Sequence, residues 1–348
     1  MSLAQHIPGG ARRRPALVLL GATAGLLALA GLMLGPVPIA ADRVAAVLLG
    51  GGAPMERAIL LDIRLPRLML ALAAGVALAL SGAAMQGMLR NPLADPGLIG
   101  VTGGASLGAV SAIVLGEALA AGLPPALRPY LLPLAAFAGG AAVIAFLFAL
   151  VRRAGERAVA TIILAGVAVN AIAGALIGGL VYVSDDQQLR DLTFWSMGGL
   201  GAAGWPVVGV ALGCAGVTLL LVLRAARALD LMQLGERAAF HAGLDVVAAH
   251  HRLALATALG VGAVTAAAGP IGFIGLVAPQ LARLTTGPTH RALLPVAALY
   301  GLALVLAADL GVRLAVPPAE PPIGLATSLI GGPFFLWLLL RRRGTIHA

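Results

Sequence analysis

Nine stretches of this chain carry no charged side chain: 15–41, 68–89, 96–116, 129–151, 158–184, 192–223, 253–282, 292–308 and 321–340. Eight match or exceed the roughly 20 residues that an apolar helix needs to cross a bilayer. The ninth, 292–308, can borrow residues up to Gly311. Of the 348 residues, 60% are apolar and 11% charged, against roughly 25% charged in a soluble domain. A soluble globule could not cover so much apolar surface, and disorder is excluded for the same reason. The runs are too long for barrel strands. The chain therefore reads as an all-α polytopic membrane protein.

The longest interior run sets the span count. Residues 253–282 would make a helix of about 45 Å at 1.5 Å per residue, but Gly269-Pro270 and Pro279 interrupt it. Splitting it into a helix over about 250–268 and a short one over about 274–284 predicts ten transmembrane helices. Charge supports an even number. All 23 basic residues are Arg. With the N-terminus inside, sixteen of them fall on the inner side, Arg341, Arg342 and Arg343 included, as the positive-inside rule requires. Both termini are then cytoplasmic, and the basic balance needs no nucleic acid. The first apolar run exceeds the 7–15 residues of a leader's core, so it is expected to stay as a span.

Two broken regions, NPLADPG at 91–97 and GPIGFIGLVAP at 269–279, sit in corresponding places of a first half, 15–182, and a second half, 203–341. With five spans each, the halves would have opposite orientation, as in inverted-repeat transporters. The outer loop 36–60 is expected to hold a short helix around 41–49, and 183–195 reads as a polar outer loop. The longest inner connection, 224–252, is expected to hold a short surface helix over 236–242 ended by Gly243.

Few polar groups lie at membrane depth. Asp309 and Arg313 are four residues apart, on one helix face, and are expected to form a structural ion pair. Met85, Gln86, Asn91 and Asn170 are candidate pathway or gate residues, with core filling and helix–helix bonding as the plainer readings. Tyr182 and Tyr300 read as interfacial anchors. The six His residues fall at the termini or in inner loops without carboxylates at ligand spacing, and Cys214 stands alone, so no metal site is expected. No HExxH, nucleophile elbow or Walker A sequence is present, so neither catalysis nor ATP use is expected of this chain. No acid lies deep enough to carry protons for a secondary transporter, the alternative from another class.

The ordered set RLPR (64–67), SGAAMQGMLRNPLADPGLIG (81–100), ILAGVAVN (163–170), FWSMGGL (194–200), LGERAAFHAGLD (234–245), GPIGFIGLVAPQLARLTTGPTHR (269–291), ADLGVR (308–313) and EPPIGLATSLIGGPFFLWLL (320–339) resembles the FecCD-type permeases of bacterial ABC importers for cobalamin, ferric siderophores and haem. The resemblance implies one permease domain over 1–348 of the type II importer architecture, in the bacterial inner membrane. It implies a pathway between two copies of the chain, two cytoplasmic ATPase subunits that use ATP and Mg, and a periplasmic haem- or siderophore-binding protein. By the same resemblance 234–243 is the coupling helix, with Leu234, Gly235, Glu236, Arg237 and Ala238 against the ATPase. Arg64 and Arg67 are then the docking groups for carboxylates of the binding protein. The wording is closest to haem importers, so haem is the expected cargo, with ferric siderophore and cobalamin as alternatives. Two positions depart from the family pattern. Gln280 follows Pro279 where His is usual, and Arg237 stands where an acid is usual.

Overall fold

The computed structural model describes residues 9–154, 158–201, 203–316 and 320–343, and all of their regular structure is helical. In chain order the helices are α1 (Gly9–Met33), α2 (Ala41–Leu48), α3 (Pro54–Arg57), α4 (Leu65–Met88), α5 (Val101–Val114), α6 (Gly116–Ala121), α7 (Leu131–Ala154) and α8 (Ala158–Tyr182). Then come α9 (Asp186–Ser196), α10 (Trp205–Arg224), α11 (Ala226–Gln233), α12 (Glu236–His241), α13 (Val246–Ala268), α14 (Ile274–Thr286), α15 (His290–Ala315) and α16 (Ile323–Arg343). A π-helical stretch, Ala58–Arg64, joins α3 to α4 without a break. Arg157, Pro317 and Pro318, and the terminal His6 and His347, lie outside the described residues.

α4 is the centre of the bundle, and its composition is the reason. It is made largely of Ala, Gly and Leu, and nearly every residue from Leu70 to Met88 is buried. Small side chains let neighbouring backbones approach closely. A Cβ at Gly82 would fall 1.7 Å from the Gly275 carbonyl oxygen of α14, and one at Gly301 of α15 would fall 2.2 Å from the Gly75 oxygen. Helices α10, α13, α14 and α15 surround α4, with α1 and α16 against α15. α5, α7 and α8 form a second group that packs on the far side of α13.

The ten-span expectation is not met. Among the described residues, six helices are long and apolar enough to cross a membrane: Arg14–Met33, Pro54–Met88, Ile163–Tyr182, Trp205–Arg224, Val246–Ala268 and His290–Ala315. With ten spans gone, the count of five per half goes too. A charge-free stretch bounds a span from above, but the helix inside it can be shorter. α5 has 14 residues and α14 has 13, about 20 Å each at 1.5 Å per residue, against a hydrocarbon core of about 30 Å. The apolar parts Leu131–Leu147 of α7 and Ile323–Trp337 of α16 are also shorter than a full span. The chain is an all-α multi-pass membrane protein.

Two further differences have local causes. Residues 183–195 are mostly helix, because Asp185 accepts a bond from the Gln188 N–H while Gln188 accepts one from the Asp185 N–H, which together start α9. His250 and His290 lie buried in helices α13 and α15 instead of in loops. The break at Gly269-Pro270 divides α13 from α14 where the sequence places it. Gly269 turns there at φ +70°, where a Cβ would fall 2.4 Å from the Trp195 carbonyl oxygen.

Candidate functional site

Three polar clusters lie along α4, one at each end and one near its C-terminal break. At the N-terminal end, which we term the Arg67 face, two guanidinium groups close the C-terminus of α1. Arg64 donates to the carbonyls of Leu32, Met33 and Val37. Arg313 donates to Gly31 and Leu34 at 3.1 and 2.7 Å. The last carbonyls of a helix have no partner within it, and these arginines supply one. Beside them Arg67 grips Asp309 through Nε and Nη2, both at 2.8 Å from Oδ1, and also pairs with Glu320. Arg313 lies 3.7 Å from Asp309 Oδ2. The pair expected at i, i+4 is therefore present, but the tightest partner of Asp309 is Arg67. Arg64 and Arg67 are 4% and 7% exposed. Both guanidinium groups are engaged in bonds inside the chain.

Near the other end of α4, Gln86 points into the packed interior. Its Nε2 sits 3.5 and 3.4 Å from the carbonyl oxygens of Gly275 and Leu276, and its Oε1 accepts from Gln280 Nε2 at 3.0 Å. Gln280 also donates to the Pro92 carbonyl at 2.6 Å. An amide is thus used at position 280 as donor to both α4 and the 91–97 segment, a pairing that position 280 alone does not reveal. Met85 fills a core formed with Ile99 and Val101. Asn91 is exposed and accepts from the Leu93 N–H at 2.9 Å. Asn170, on α8, donates to the Gly97 carbonyl at 3.1 Å. Asp95 accepts from the Gly97 N–H at 2.7 Å. Burial pushes its carboxyl above the usual carboxylate range, and the Gly97 bond partly opposes this.

The opposite end, the His290 face, carries the surface helix. Asp230 of α11 accepts from the backbone N–H of His290 and meets its Nδ1, both at 2.8 Å. Gln233 donates to the Gly87 carbonyl at 3.0 Å. These bonds tie α11 to the starts and ends of α15 and α4, and neither was visible from sequence spacing. Gly235 then turns the chain at φ +107° into α12. Ala239 is buried beneath α12, while Arg237 and Ala238 are exposed and Glu236 is half-buried. Leu234 and Phe240 are 72% and 67% exposed, an apolar display on a polar surface. Phe240 was not singled out by sequence. A groove of about 870 Å³ runs beside α12, lined by Glu236, Arg237, Phe240 and His250. Among the described residues no group of three or more His, Cys, Asp or Glu is placed to hold a metal ion.

Residues 23–341 match the family model described as the FecCD transport family. The chain belongs to that family. This FecCD chain is a transport permease subunit of an ABC importer. It is 50% identical to the hemin transport system permease protein HmuU of Yersinia pestis, over 81% of this chain and 83% of that protein. It is 39% identical to the cobalamin import system permease protein BtuC of Halobacterium salinarum, over 88% and 80%. With the vitamin B12 import system permease protein BtuC of Klebsiella pneumoniae the identity is 40%, over 81% and 83%. Among solved structures, an inward-facing metal-chelate type ABC transporter superposes with a TM-score of 0.80 at 28% identity, over 93% of this chain and 98% of that one.

Proposed function

We propose that this permease moves haem from a periplasmic binding protein across the bacterial inner membrane, driven by two cytoplasmic ATPase subunits under a pair of these chains. The observation that carries the cargo is the 50% identity with a hemin permease, against 39–40% with cobalamin permeases. Cobalamin stands as the second reading because of those same relatives, and a ferric siderophore as the third from the sequence resemblance. The arginines of the His290 face turn that face, and both termini, to the cytoplasm.

Leu234, Gly235, Glu236, Arg237 and Ala238 then act as the coupling element. Leu234 and Phe240 enter the ATPase surface, and the Asp230–His290 and Gln233–Gly87 bonds pass its motion to α15 and α4. The passage runs along α8 and the 91–97 segment, where Asn91 and Asn170 are its polar groups. Met85 and Gln86 support that wall from behind. The binding protein docks on the Arg67 face, and Arg64 and Arg67 serve it by holding that face in shape.

The test is uptake into liposomes that carry the permease with its cognate ATPase, with ATP inside and cargo-loaded binding protein outside. ATP-dependent accumulation of haem and not of cobalamin or a ferric siderophore is expected. Entry of cobalamin alone would overturn the cargo. A Gly235→Ala chain, strained at φ +107°, should retain ATPase binding and lose ATP-driven uptake; unchanged uptake would remove the coupling role.

A further inference from the structure

On the His290 face, beside the groove already described and separate in its lining arginines, a cavity of about 620 Å³ opens between the end of α10, α11 and the start of α13. Three guanidinium groups line it, those of Arg224, Arg227 and Arg252. All three are exposed, and among the described residues none has an ion pair or hydrogen bond, in contrast to Arg64, Arg67 and Arg313. The single carboxylate of the lining, Asp245, is already engaged as acceptor for the Ala248 N–H at 2.9 Å. The rest of the lining is largely apolar, with Leu221, Leu231 and Leu244 in it.

The position of the cavity is fixed by two spans. Trp205–Arg224 ends there, and Val246–Ala268 begins there. The cavity is therefore at a membrane boundary, with Leu221 and Arg224 in the last turn of one span and Arg252 within the first two turns of the other. The amino end of α13 adds the positive end of a helix dipole. Three uncompensated cations converging on one cavity call for an anion, and the apolar wall calls for one that carries hydrocarbon. Basic pockets between spans on the cytoplasmic side meet both demands with an anionic lipid headgroup.

We propose that this cavity is a binding site for an anionic phospholipid of the surrounding bilayer, its phosphate held by Arg224, Arg227 and Arg252. The proposal rests on the reading of the His290 face as cytoplasmic only for the leaflet that supplies the lipid. The site pins the hinge between α10 and α11, so the lipid steadies the base from which α12 projects.

The full chain, purified in detergent and stripped of lipid, would be mixed with equal amounts of dioleoyl phosphatidylglycerol and dioleoyl phosphatidylcholine and weighed intact by native mass spectrometry. Retention of phosphatidylglycerol over phosphatidylcholine is expected. It should fall about fivefold for each arginine changed to Gln at 224, 227 and 252, and stay unchanged in an R57Q/R128Q control. Equal retention of the two lipids, or no loss in the triple variant, would overturn the proposal. Loss of the preference on adding inorganic phosphate would reassign the site to a soluble anion. Release of the lipid on adding the ATPase would reassign the arginines to that partner. The readout involves no cargo, so a wrong cargo leaves it standing.

Discussion

Asp309 is one carboxylate shared between Arg67 and Arg313 in a place that water barely reaches. Removing one partner of a buried pair leaves a charge without compensation and costs about 3–5 kcal/mol, while replacing both by apolar groups costs far less. Asp309→Ala should therefore lower the thermal midpoint of the detergent-solubilised chain sharply, and Asp309→Leu with Arg67→Met should recover most of it. Asp95 gives a prediction of the opposite sign. Its folded pKa is raised above its unfolded value, so its favourable contribution is present at acid pH and is lost as the pH rises through the folded value. Asn keeps the acceptor for the Gly97 N–H and cannot ionise. Asp95→Asn should be more stable than the native chain at pH 7–8, and that difference should vanish toward pH 4 in melting curves. At this scale, spacing along one helix was legible and spacing across helices was not. The Asp309–Arg313 approach follows from i, i+4. The stronger Arg67–Asp309 contact spans 242 residues, and nothing local announces it.

The elements were legible where the chain itself punctuates them. Gly269-Pro270 divides α13 from α14, and Gly243, at φ +84°, closes α12. They were not legible where length depends on packing. The absence of charge across 96–116 permitted a full span, but α5 stops at Val114 and a separate short helix follows. The pressed contact between α4 and α14 can be tested directly. An added Cβ at Gly82 meets backbone, the Gly275 carbonyl, which cannot rotate out of the way. Overpacking usually costs about 1–3 kcal/mol, and Gly82→Ala should reach the upper end of that range or exceed it, seen as a lower melting point and loss of monodispersity on size exclusion. Gly21→Ala, where a Cβ meets nothing within 4 Å, should leave both unchanged.

At the scale of the molecule, α8 is the least covered of the spans among the described residues, with 11% of its apolar window buried. Leu164, Ile172 and Leu176 stand more than half exposed, and added Cβ atoms at Gly174 and Gly178 would meet nothing. Small residues four apart on an open apolar helix favour close pairing with another helix. With Cys214 changed to Ala, a Leu176→Cys chain should form a disulfide-linked dimer in membranes under mild oxidation, and a Val18→Cys chain on α1 should not. Gel mobility without reductant decides it; equal cross-linking from both positions would place the contact elsewhere or nowhere. The ties at the Arg67 face carry a different consequence, for synthesis. Arg67 emerges 242 residues before Asp309, and at about 5–20 residues per second the ribosome needs about 12–50 s to deliver the counter-ion. The carboxyl end of α1 waits longer still for Arg313. During that interval the earliest helices sit in the insertion machinery with a cation unpaired and carbonyls half-satisfied. A chain terminated before Asp309 never leaves that condition, because both carboxylates that meet Arg67, Asp309 and Glu320, lie beyond the cut.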